Sequence, residues 1–389
     1  MKKIVFCLQT MILGGVEKEL ITVLKKIHEK FDITLLLLYL EDTEIIKCIP
    51  NNVKIKVLNI DKNYYCSGGI ELIKQRVKNG KLFEAISIFA KRCFKIGTAG
   101  SNININDIFT LNENFDVAIC YHIHSPIMFK YVAQKIIANK KVAWIHNDFY
   151  TTKFPIWRLK KYVNCYDEFV SVSRKVENEF RNCCPWYNGS ISTAYNYLDV
   201  SEILDLSEQI IKDDNFIVEE NIKILTVGRF DRQKGIDLAI VAASKLKKEG
   251  LNFNWFLIGY GELENFYREL IREYGVSDCF TILGKKTNPY PYIKKCDIYV
   301  QPSRHEAFGL VIKEAKILKR PIICTNFDGA DEQIETGKNG IIVPCNDVGV
   351  LCKEISKMIL SAEVRENLTA ELEKWHPDDD LKEIVKHLE

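Results

Sequence analysis

Short apolar runs of strand length alternate along the chain with segments whose apolar residues recur every three or four positions. Residues 4–8 and 35–39 are continuous apolar runs, which predicts two buried strands at residues 3–8 and 32–39. Between them, Leu20, Val23 and Leu24 mark one face of a helix predicted at residues 17–28. The other strands predicted in this half lie at residues 53–58, 117–121, 141–145 and 168–173. Strands that are apolar on both faces and separated by helices are typical of a parallel sheet covered by helices.

The same alternation restarts in the second half of the chain. Residues 199–221 are polar and acidic, so we predict a linker there. Strands are predicted at residues 222–227, 254–258, 280–283, 298–301 and 321–325, and helices at residues 235–248, 262–274, 288–295 and 309–319. The pattern predicts an α/β protein with two doubly wound domains, residues 1–198 and 199–374, and a final helix within residues 375–389.

The composition narrows the classes of protein that fit this pattern. Lys and Arg total 54 and Asp and Glu total 52, so a net charge of +2 gives no reason to expect a nucleic-acid partner. The 13 cysteines show no C-x-x-C spacing, which is typical of thiols in a reducing compartment. The most apolar stretch, residues 33–40, is much shorter than the roughly 20 residues that span a bilayer. We therefore expect a cytoplasmic protein.

Candidate binding residues follow the predicted strands directly, where parallel sheets place their ligands. Gly14 and Gly15 precede the first helix, and paired glycines let backbone N–H groups approach a phosphate; a plain tight turn explains them equally well. Arg229 and Lys234 follow the first strand of the second domain. Two cations there can bind a diphosphate, although a solvated basic loop is the alternative.

A second cluster surrounds the helix predicted at residues 309–319. Glu306 follows a predicted strand, and the N–H groups of residues Phe308, Gly309 and Leu310 open the helix, where they can hold a phosphate or a sugar hydroxyl. Glu314 lies about one and a half turns into the helix, where its carboxylate can accept hydrogen bonds from a ribose diol. The alternative is that Glu306 caps the helix and Glu314 is an exposed helix residue.

These motifs resemble a known family. Glu306 and Glu314 have the E-x7-E spacing of the retaining GT-B glycosyltransferases of family four, within the segment P-S-R-H-E-A-F-G-L at residues 302–310. The G-R-x-x-x-x-K-G pattern at residues 228–235, the Gly14-Gly15 pair and the segment W-I-H-N-D at residues 144–148 follow in the family's order. The chain is similar to bacterial enzymes that build capsule, lipopolysaccharide and related surface glycans. One departure is Ala307, where the family usually has glycine, and this puts the fit of the donor sugar in doubt.

The resemblance implies two Rossmann-like domains facing a central cleft, with the final helix packing back on the first domain. The first domain would bind the acceptor and the second a nucleotide-diphosphate sugar, with a UDP-sugar favoured. Arg229 and Lys234 would bind the diphosphate, Glu314 the ribose, and Glu306 the donor sugar and the reaction centre.

His146 would lie across the cleft, near the transferred sugar. A lone histidine is more often structural, so the resemblance carries most of this assignment. His122 and His124 lack a third metal ligand nearby in sequence, and the only D-x-D, residues 378–380, is explained by helix capping. We expect neither a metal nor another cofactor.

Three further possibilities stay open. Residues 70–95 are basic and aromatic, so they can form either a face that contacts anionic membrane or a pair of solvated helices. A glycan acceptor can be free or lipid-linked. A sugar-nucleotide epimerase or hydrolase of the same fold, or a non-catalytic partner subunit of a glycosyltransferase, would share much of this sequence pattern.

Overall fold

The computed structural model describes residues 1–12, 14–41, 43–60, 108, 110–152, 154, 156–213, 215–216 and 221–389. The basic face predicted at residues 70–95 lies outside these ranges. The chain divides into two compact units. The first unit comprises Met1–Val172, Val176–Tyr197 and Leu381–Glu389, and the second comprises Ser173–Lys175 and Leu198–Asp380.

A seven-stranded parallel sheet forms the centre of the first unit. Its strands are β1 (Lys3–Leu8), β2 (Asp32–Leu37), β3 (Lys54–Val57), β4 (Asn114–Cys120), β5 (Ile137–Ile145), β6 (Glu168–Ser171) and β7 (Ser190–Thr193). The strands lie side by side in the order β3-β2-β1-β4-β5-β6-β7. Five consecutive residues of β1 are buried, as expected for a strand that is covered on both faces. The edge strand β7 was not predicted, because its sequence Ser-Ile-Ser-Thr has no apolar run.

Helices connect these strands in the crossovers that parallel strands require. Those described in the first unit are α1 (Gly15–Ile27), α2 (Thr43–Ile46), α3 (Pro126–Lys135), α4 (Phe149–Thr152), α5 (Lys160–Val163) and α6 (Arg174–Cys183), whose first two residues are assigned to the second unit. The helix α1 buries Leu20, Val23, Leu24 and Ile27 on one face, which is the spacing that the sequence shows.

The second unit contains a six-stranded parallel sheet. Its strands are β8 (Ile222–Val227), β9 (Phe253–Ile258), β10 (Phe280–Gly284), β11 (Ile298–Gln301), β12 (Ile322–Thr325) and β13 (Ile341–Val343), in the spatial order β10-β9-β8-β11-β12-β13. The strands β8 and β11 are neighbours in the sheet although 70 residues separate the end of β8 from the start of β11. Their carboxyl ends, and the loops that follow, therefore meet at one place.

Helices cover this second sheet on both sides. They are α7 (Val200–Ser207), α8 (Ile236–Lys248), α9 (Glu264–Glu273), α10 (Tyr290–Lys295), α11 (Leu310–Ile317), α12 (Ala330–Gln333), α13 (Val348–Leu360) and α14 (Ala362–Lys374). The helix α7 lies inside the predicted linker. Asp199 caps its first turn by accepting from the N–H of Glu202, and Ile203 is buried in the core of the second unit. The polar composition of the segment hid its buried apolar residues, since Ile211 and Phe216 lie in the same core as Ile203.

The last helix, α15 (Asp380–Leu388), begins in the second unit and continues in the first. On the first sheet, Nδ1 of His387 lies 2.9 Å from Oε1 of Glu168, and the rings of His387 and Trp144 pack edge to face with centroids 5.8 Å apart. The segment before the helix is held to α11 by lysines. Lys313 forms an ion pair with Asp380, and Nζ of Lys316 lies 4.1 Å from the centre of the Trp375 ring.

None of the helices within the described residues combines the length and the apolar character needed to cross a bilayer.

Candidate functional site

Two loops meet at the carboxyl ends of β8 and β11 because a glycine lets them approach. Gly235 has φ 63°, and a Cβ atom placed on it would lie 2.0 Å from the carbonyl oxygen of Pro302. Any larger residue would therefore be strained and would push the loops apart. Asp231 organises the first loop by accepting from the N–H groups of Gln233 at 2.9 Å and Lys234 at 3.2 Å. The sequence thus brings the side chain of Lys234 to the loop that carries Glu306.

The central contact of this site is an ion pair between these two residues. Nζ of Lys234 lies 2.5 Å from Oε1 of Glu306, and the two side chains are 19% and 13% exposed. Glu306 is also the acceptor of a hydrogen bond from Oγ of Ser303 at 3.0 Å. It does not cap the following helix, whose N-cap residue is Gly309. The alternative prediction for Glu306 is therefore wrong, since its carboxylate faces the loop of Lys234.

Arg229 lies on the same loop but projects outward. Its side chain is 66% exposed, and its Nε donates to Oδ2 of Asp231 at 2.8 Å. Because Asp231 also accepts from the backbone of Lys234, one carboxylate links the two cationic residues. The guanidinium keeps further N–H groups for a ligand that approaches from solvent.

A second arginine, which the sequence analysis did not single out, fixes the loop of Glu306. The guanidinium of Arg304 forms a bidentate ion pair with Asp237 at the start of α8, with N–O distances of 2.8 and 2.6 Å. This carboxylate raises the pKa of Arg304 above its usual value. The backbone N–H of Arg304 donates to the carbonyl of Gln233 at 2.6 Å. The two loops therefore form one connected structure.

The helix α11 contributes its first turn and one buried carboxylate. Gly309 is its N-cap residue and adopts φ 81°. The first N–H groups of the helix point out of its amino-terminal end, as in every α-helix. Phe308 is buried, and its carbonyl accepts from Nε2 of Gln333. Leu310 is the first residue of the helix.

Glu314 is 7% exposed, so the prediction of an exposed helix residue is wrong. The hydroxyl of Tyr290 donates to its Oε1 at 3.3 Å, and burial together with this carboxylate raises the pKa of Tyr290.

Gly14 and Gly15 lie at the start of α1 in the first unit. Gly14 is the N-cap residue and has an extended backbone that any residue can adopt. A Cβ atom at this position would lie 2.5 Å from Oε2 of Glu17, the far end of a flexible side chain that can move aside. The first N–H groups of this 13-residue helix have no acceptor within the helix, as at every helix start.

His146 follows β5 in the first unit, as the sequence predicts, and is deeply buried. Its side chain is 1% exposed, and Nδ1 lies 3.8 Å from Oε2 of Glu19, whose side chain is 0% exposed. Neither ring nitrogen has a hydrogen-bond partner among the described residues. Burial, with a smaller effect from His122 and His124, holds the pKa of His146 well below its usual value, so the imidazole is neutral at physiological pH.

Glu19 was not found from the sequence, because nothing in a helical segment marks one glutamate as buried. It accepts from the backbone N–H of Tyr197 at 3.3 Å, and the side-chain amide of Asn196 donates to both of its oxygens at 3.2 Å. Burial and this carboxylate raise the pKa of Tyr121, whose ring centre lies 4.7 Å from that of His146. The carboxylate thus connects α1 with the segments that follow β4, β5 and β7.

His122 and His124 also contact polar side chains within the first unit. Nδ2 of Asn147 donates to Nε2 of His122 at 2.9 Å, and Nε2 of His124 lies 3.1 Å from Oγ1 of Thr152. Burial lowers the pKa of His122 to about 4 and that of His124 to about 3. Of the D-x-D at residues 378–380, Asp380 pairs with Lys313.

Known proteins resemble this chain at two levels. Residues 207–375 match the family described as glycosyl transferases group 1. The alpha-D-kanosaminyltransferase of Streptomyces kanamyceticus is 30% identical over 147 residues, which is 37% of this chain and 38% of that protein. The capsular polysaccharide biosynthesis glycosyltransferase CapM of Staphylococcus aureus is 29% identical over 153 residues, 39% of this chain and 40% of that protein. The chain thus matches about two fifths of the length of these curated relatives.

The fold extends further than the sequence similarity. The crystal structure of HepE from Anabaena, in complex with UDP and glucose, covers 100% of this chain and 99% of its own, with a TM-score of 0.70 at 17% sequence identity. This likeness confirms the predicted fold class. The chain therefore has the GT-B fold of two Rossmann-like domains, and residues 207–375 match the group 1 glycosyl transferases.

Proposed function

We propose that this protein is a glycosyltransferase that moves a sugar from a nucleotide-diphosphate sugar to a hydroxyl group of a surface-glycan acceptor. The observation that carries the proposal is the ion pair of Lys234 with Glu306 beside the first turn of α11. It places a cation for a diphosphate, a carboxylate for sugar hydroxyls and the first backbone N–H groups of a helix in one small region. The match of residues 207–375 to the group 1 family supports it.

The described residues supply a part for each portion of the donor. Lys234 and the exposed guanidinium of Arg229 bind the diphosphate and stabilise the charge that develops as the sugar leaves. The N–H groups of Phe308, Gly309 and Leu310 bind a phosphate or a sugar hydroxyl. Glu314 binds the ribose diol.

Residues of the first unit also have roles in this proposal. Gly14 and Gly15 let the donor phosphates approach the start of α1, and His146 forms a hydrogen bond to a hydroxyl of the transferred sugar. The anomeric configuration is retained, because the leaving phosphate accepts the proton of the acceptor on the same face. Proton NMR of the first-formed product reports the configuration, and an inverted product would refute this step.

No resident metal is needed in this scheme, since the two cationic side chains supply the charge that a divalent ion would otherwise provide. Activity should therefore survive an excess of EDTA. A loss of activity that Mg²⁺ or Mn²⁺ restores would contradict this part of the proposal.

UDP is the nucleotide that we infer for the donor, and the UDP bound in the HepE structure of the same fold supports it. A thermal-shift screen against UDP-, GDP-, ADP- and CMP-sugars tests this directly. We expect stabilisation by UDP-sugars above the others. Rapid consumption of donor without acceptor would favour a hydrolase or epimerase over a transferase.

Matched variants test the site itself. Lys234→Met should weaken UDP binding, measured by calorimetry, about tenfold to a hundredfold, the usual effect of losing a charge-assisted hydrogen bond. Lys245→Met removes an exposed lysine of α8 and should leave binding unchanged. Equal binding by the two variants would sink the proposal. If Glu306→Ala left sugar transfer intact, the alternative that this protein is a non-catalytic subunit would gain support.

The acceptor is a surface glycan, either free or lipid-linked, in this proposal. The similarity to CapM, a glycosyltransferase of capsular polysaccharide biosynthesis, supports the glycan. Contact with anionic membrane through residues 70–95 is part of the same proposal. Replacing Lys91, Arg92 and Lys95 by Glu should abolish binding to anionic liposomes, and unchanged binding would refute the membrane contact.

A further inference from the structure

A row of buried polar side chains runs from the end of β11 to Glu306. Tyr299 and Gln301 lie two residues apart on the strand, so their side chains share one face of the sheet. The hydroxyl of Tyr299 donates to Oε1 of Gln301 at 2.8 Å, and Nε2 of Gln301 donates to Oγ of Ser303 at 2.8 Å. Ser303 then donates to Oε1 of Glu306 at 3.0 Å. The first three residues are 0% exposed.

The row has one direction. A carboxylate accepts hydrogen bonds and cannot donate, so the single hydrogen of Ser303 is committed to Glu306. Ser303 must then accept from the amide nitrogen of Gln301, which turns the amide oxygen toward Tyr299. Burial, with smaller effects from Glu314 and Glu306, raises the pKa of Tyr299, so its phenol stays protonated and remains a donor. Gln301 is the only amide in the row, and it sets the orientation of both neighbours.

This arrangement treats the two oxygens of Glu306 differently. Oε1 accepts from Ser303, lies 3.4 Å from Nε2 of Gln301 and is 2.5 Å from Nζ of Lys234. Within the described part of the chain, no donor bonds to Oε2. Three donors on one side fix the carboxylate, and the second oxygen keeps its lone pairs for a ligand.

We propose that Gln301 is a positioning residue for Glu306: it fixes Ser303 and the Oε1 atom so that Oε2 is presented to a hydroxyl group of the donor sugar. The inference rests on the proposed function, because it assumes that a sugar occupies the space beside Glu306. A carboxylate held in one orientation loses no further rotamer freedom when the sugar arrives, and small misplacements of such a group are costly for catalysis.

Two substitutions of similar size distinguish a positioning role of Gln301 from a role in packing alone. Gln301→Met removes the amide and keeps the length, whereas Gln301→Glu keeps an acceptor for Tyr299 but sets a second carboxylate against Glu306. We expect kcat/KM for the UDP-sugar to fall about 10- to 100-fold in the Met variant and further in the Glu variant. The Kd of UDP alone, which carries no sugar, should change less than about twofold in the Met variant.

Two other variants serve as controls for general damage to the fold. Tyr299→Phe removes only the first hydrogen bond of the row and should lower kcat/KM less than Gln301→Met, again without weakening UDP binding. Ile298→Val trims a buried residue of the same strand that takes no part in the row, and should leave kcat/KM unchanged.

The outcomes distinguish a failure of the role assigned to Gln301 from a failure of the proposed function. An active wild-type protein with an unaffected Gln301→Met variant overturns the role of Gln301 alone. A parallel loss of UDP affinity and kcat/KM in that variant also overturns it, because it shows general damage to the loop. A wild-type protein that neither binds UDP nor transfers sugar refutes the proposed function and this inference with it.

Discussion

Oε2 of Glu19 lies 3.8 Å from Nδ1 of His146, and the two side chains are 0% and 1% exposed. A neutral imidazole carries its hydrogen on one nitrogen, and a nearby carboxylate favours the tautomer with that hydrogen on Nδ1. Nε2 then carries the lone pair. The pair therefore determines which ring nitrogen of His146 can accept a hydrogen bond.

Replacing Glu19 by Gln tests this relationship. We expect a mixture of histidine tautomers at position 146, because the neutral amide no longer selects one, and a loss of about 1–3 kcal/mol in the free energy of unfolding. Nitrogen NMR of labelled histidine reports the tautomer and needs no enzymatic activity. The exposed residue Glu29, just after α1, provides the control Glu29→Gln. An unchanged Nδ1-protonated tautomer in the Glu19→Gln protein would disprove the role of the carboxylate.

Gly235 should be among the least replaceable residues of the second unit. Gly235→Ala combines a positive φ of 63° with a clash at 2.0 Å against the Pro302 carbonyl, so both the stability and the Lys234–Glu306 contact should be lost. Gly250 has φ 77° with open space around it, so Gly250→Ala carries only the backbone strain of about 1–2 kcal/mol. Urea midpoints of the two variants, measured side by side, isolate the steric effect. Equal midpoints would show that the loops are not held together at this glycine.

His122 should make the first unit sensitive to acid. Its pKa is lowered to about 4 by burial, whereas a histidine in the unfolded chain has a pKa near 6.5, so unfolded protein binds the proton first. Stability must then fall as the pH drops from 6.5 toward about 4, by on the order of 3 kcal/mol from this residue. Urea midpoints across that window should change less steeply with pH for His122→Gln than for the wild type. The control His376→Gln, at an exposed position, should keep the slope of the wild type. A slope that His122→Gln leaves intact would assign the acid sensitivity elsewhere.

Lys316 should make the protein more stable as the pH rises through the alkaline range. Burial, reinforced by Lys313 and Lys319 and opposed by Asp378, lowers the pKa of Lys316 from 10.5 to about 8. The folded protein therefore releases this proton before the unfolded chain does, and stability should rise between pH 8 and 10.5. In Lys316→Met this rise should disappear, whereas Lys248→Met, at an exposed position, should retain it. Identical pH profiles for wild type and Lys316→Met would contradict the buried-lysine assignment.

The sequence predicts the strands and the site loops well because both depend on local patterns. The strand β11 and the residues that follow it lie where the apolar run and the charged motif predict. What could not be predicted depends on contacts between distant segments. Arg304 pairs with Asp237, and Tyr290 donates to Glu314, across large separations in sequence. Both contacts form only when the sheet brings the segments together.

Two elements that the sequence did not predict, β7 and α7, have the same cause on a smaller scale. The strand β7 has too few apolar residues to be recognised, yet it pairs with β6 along its whole length. The helix α7 depends on a cap at Asp199 and one buried isoleucine within a polar segment. Neither feature has a periodic signal, so only the three-dimensional neighbours reveal it.

The return of residues 381–389 to the first unit has a consequence for how the protein folds in the cell. The ribosome must complete the second unit before His387 emerges to meet Glu168 and Trp144. Until then the surface of β5 and β6 that the helix α15 covers stays open to other chains and to chaperones. A polypeptide that stalls before residue 381 would leave that surface bare, so the first unit cannot complete its own fold until the intervening second unit has been translated.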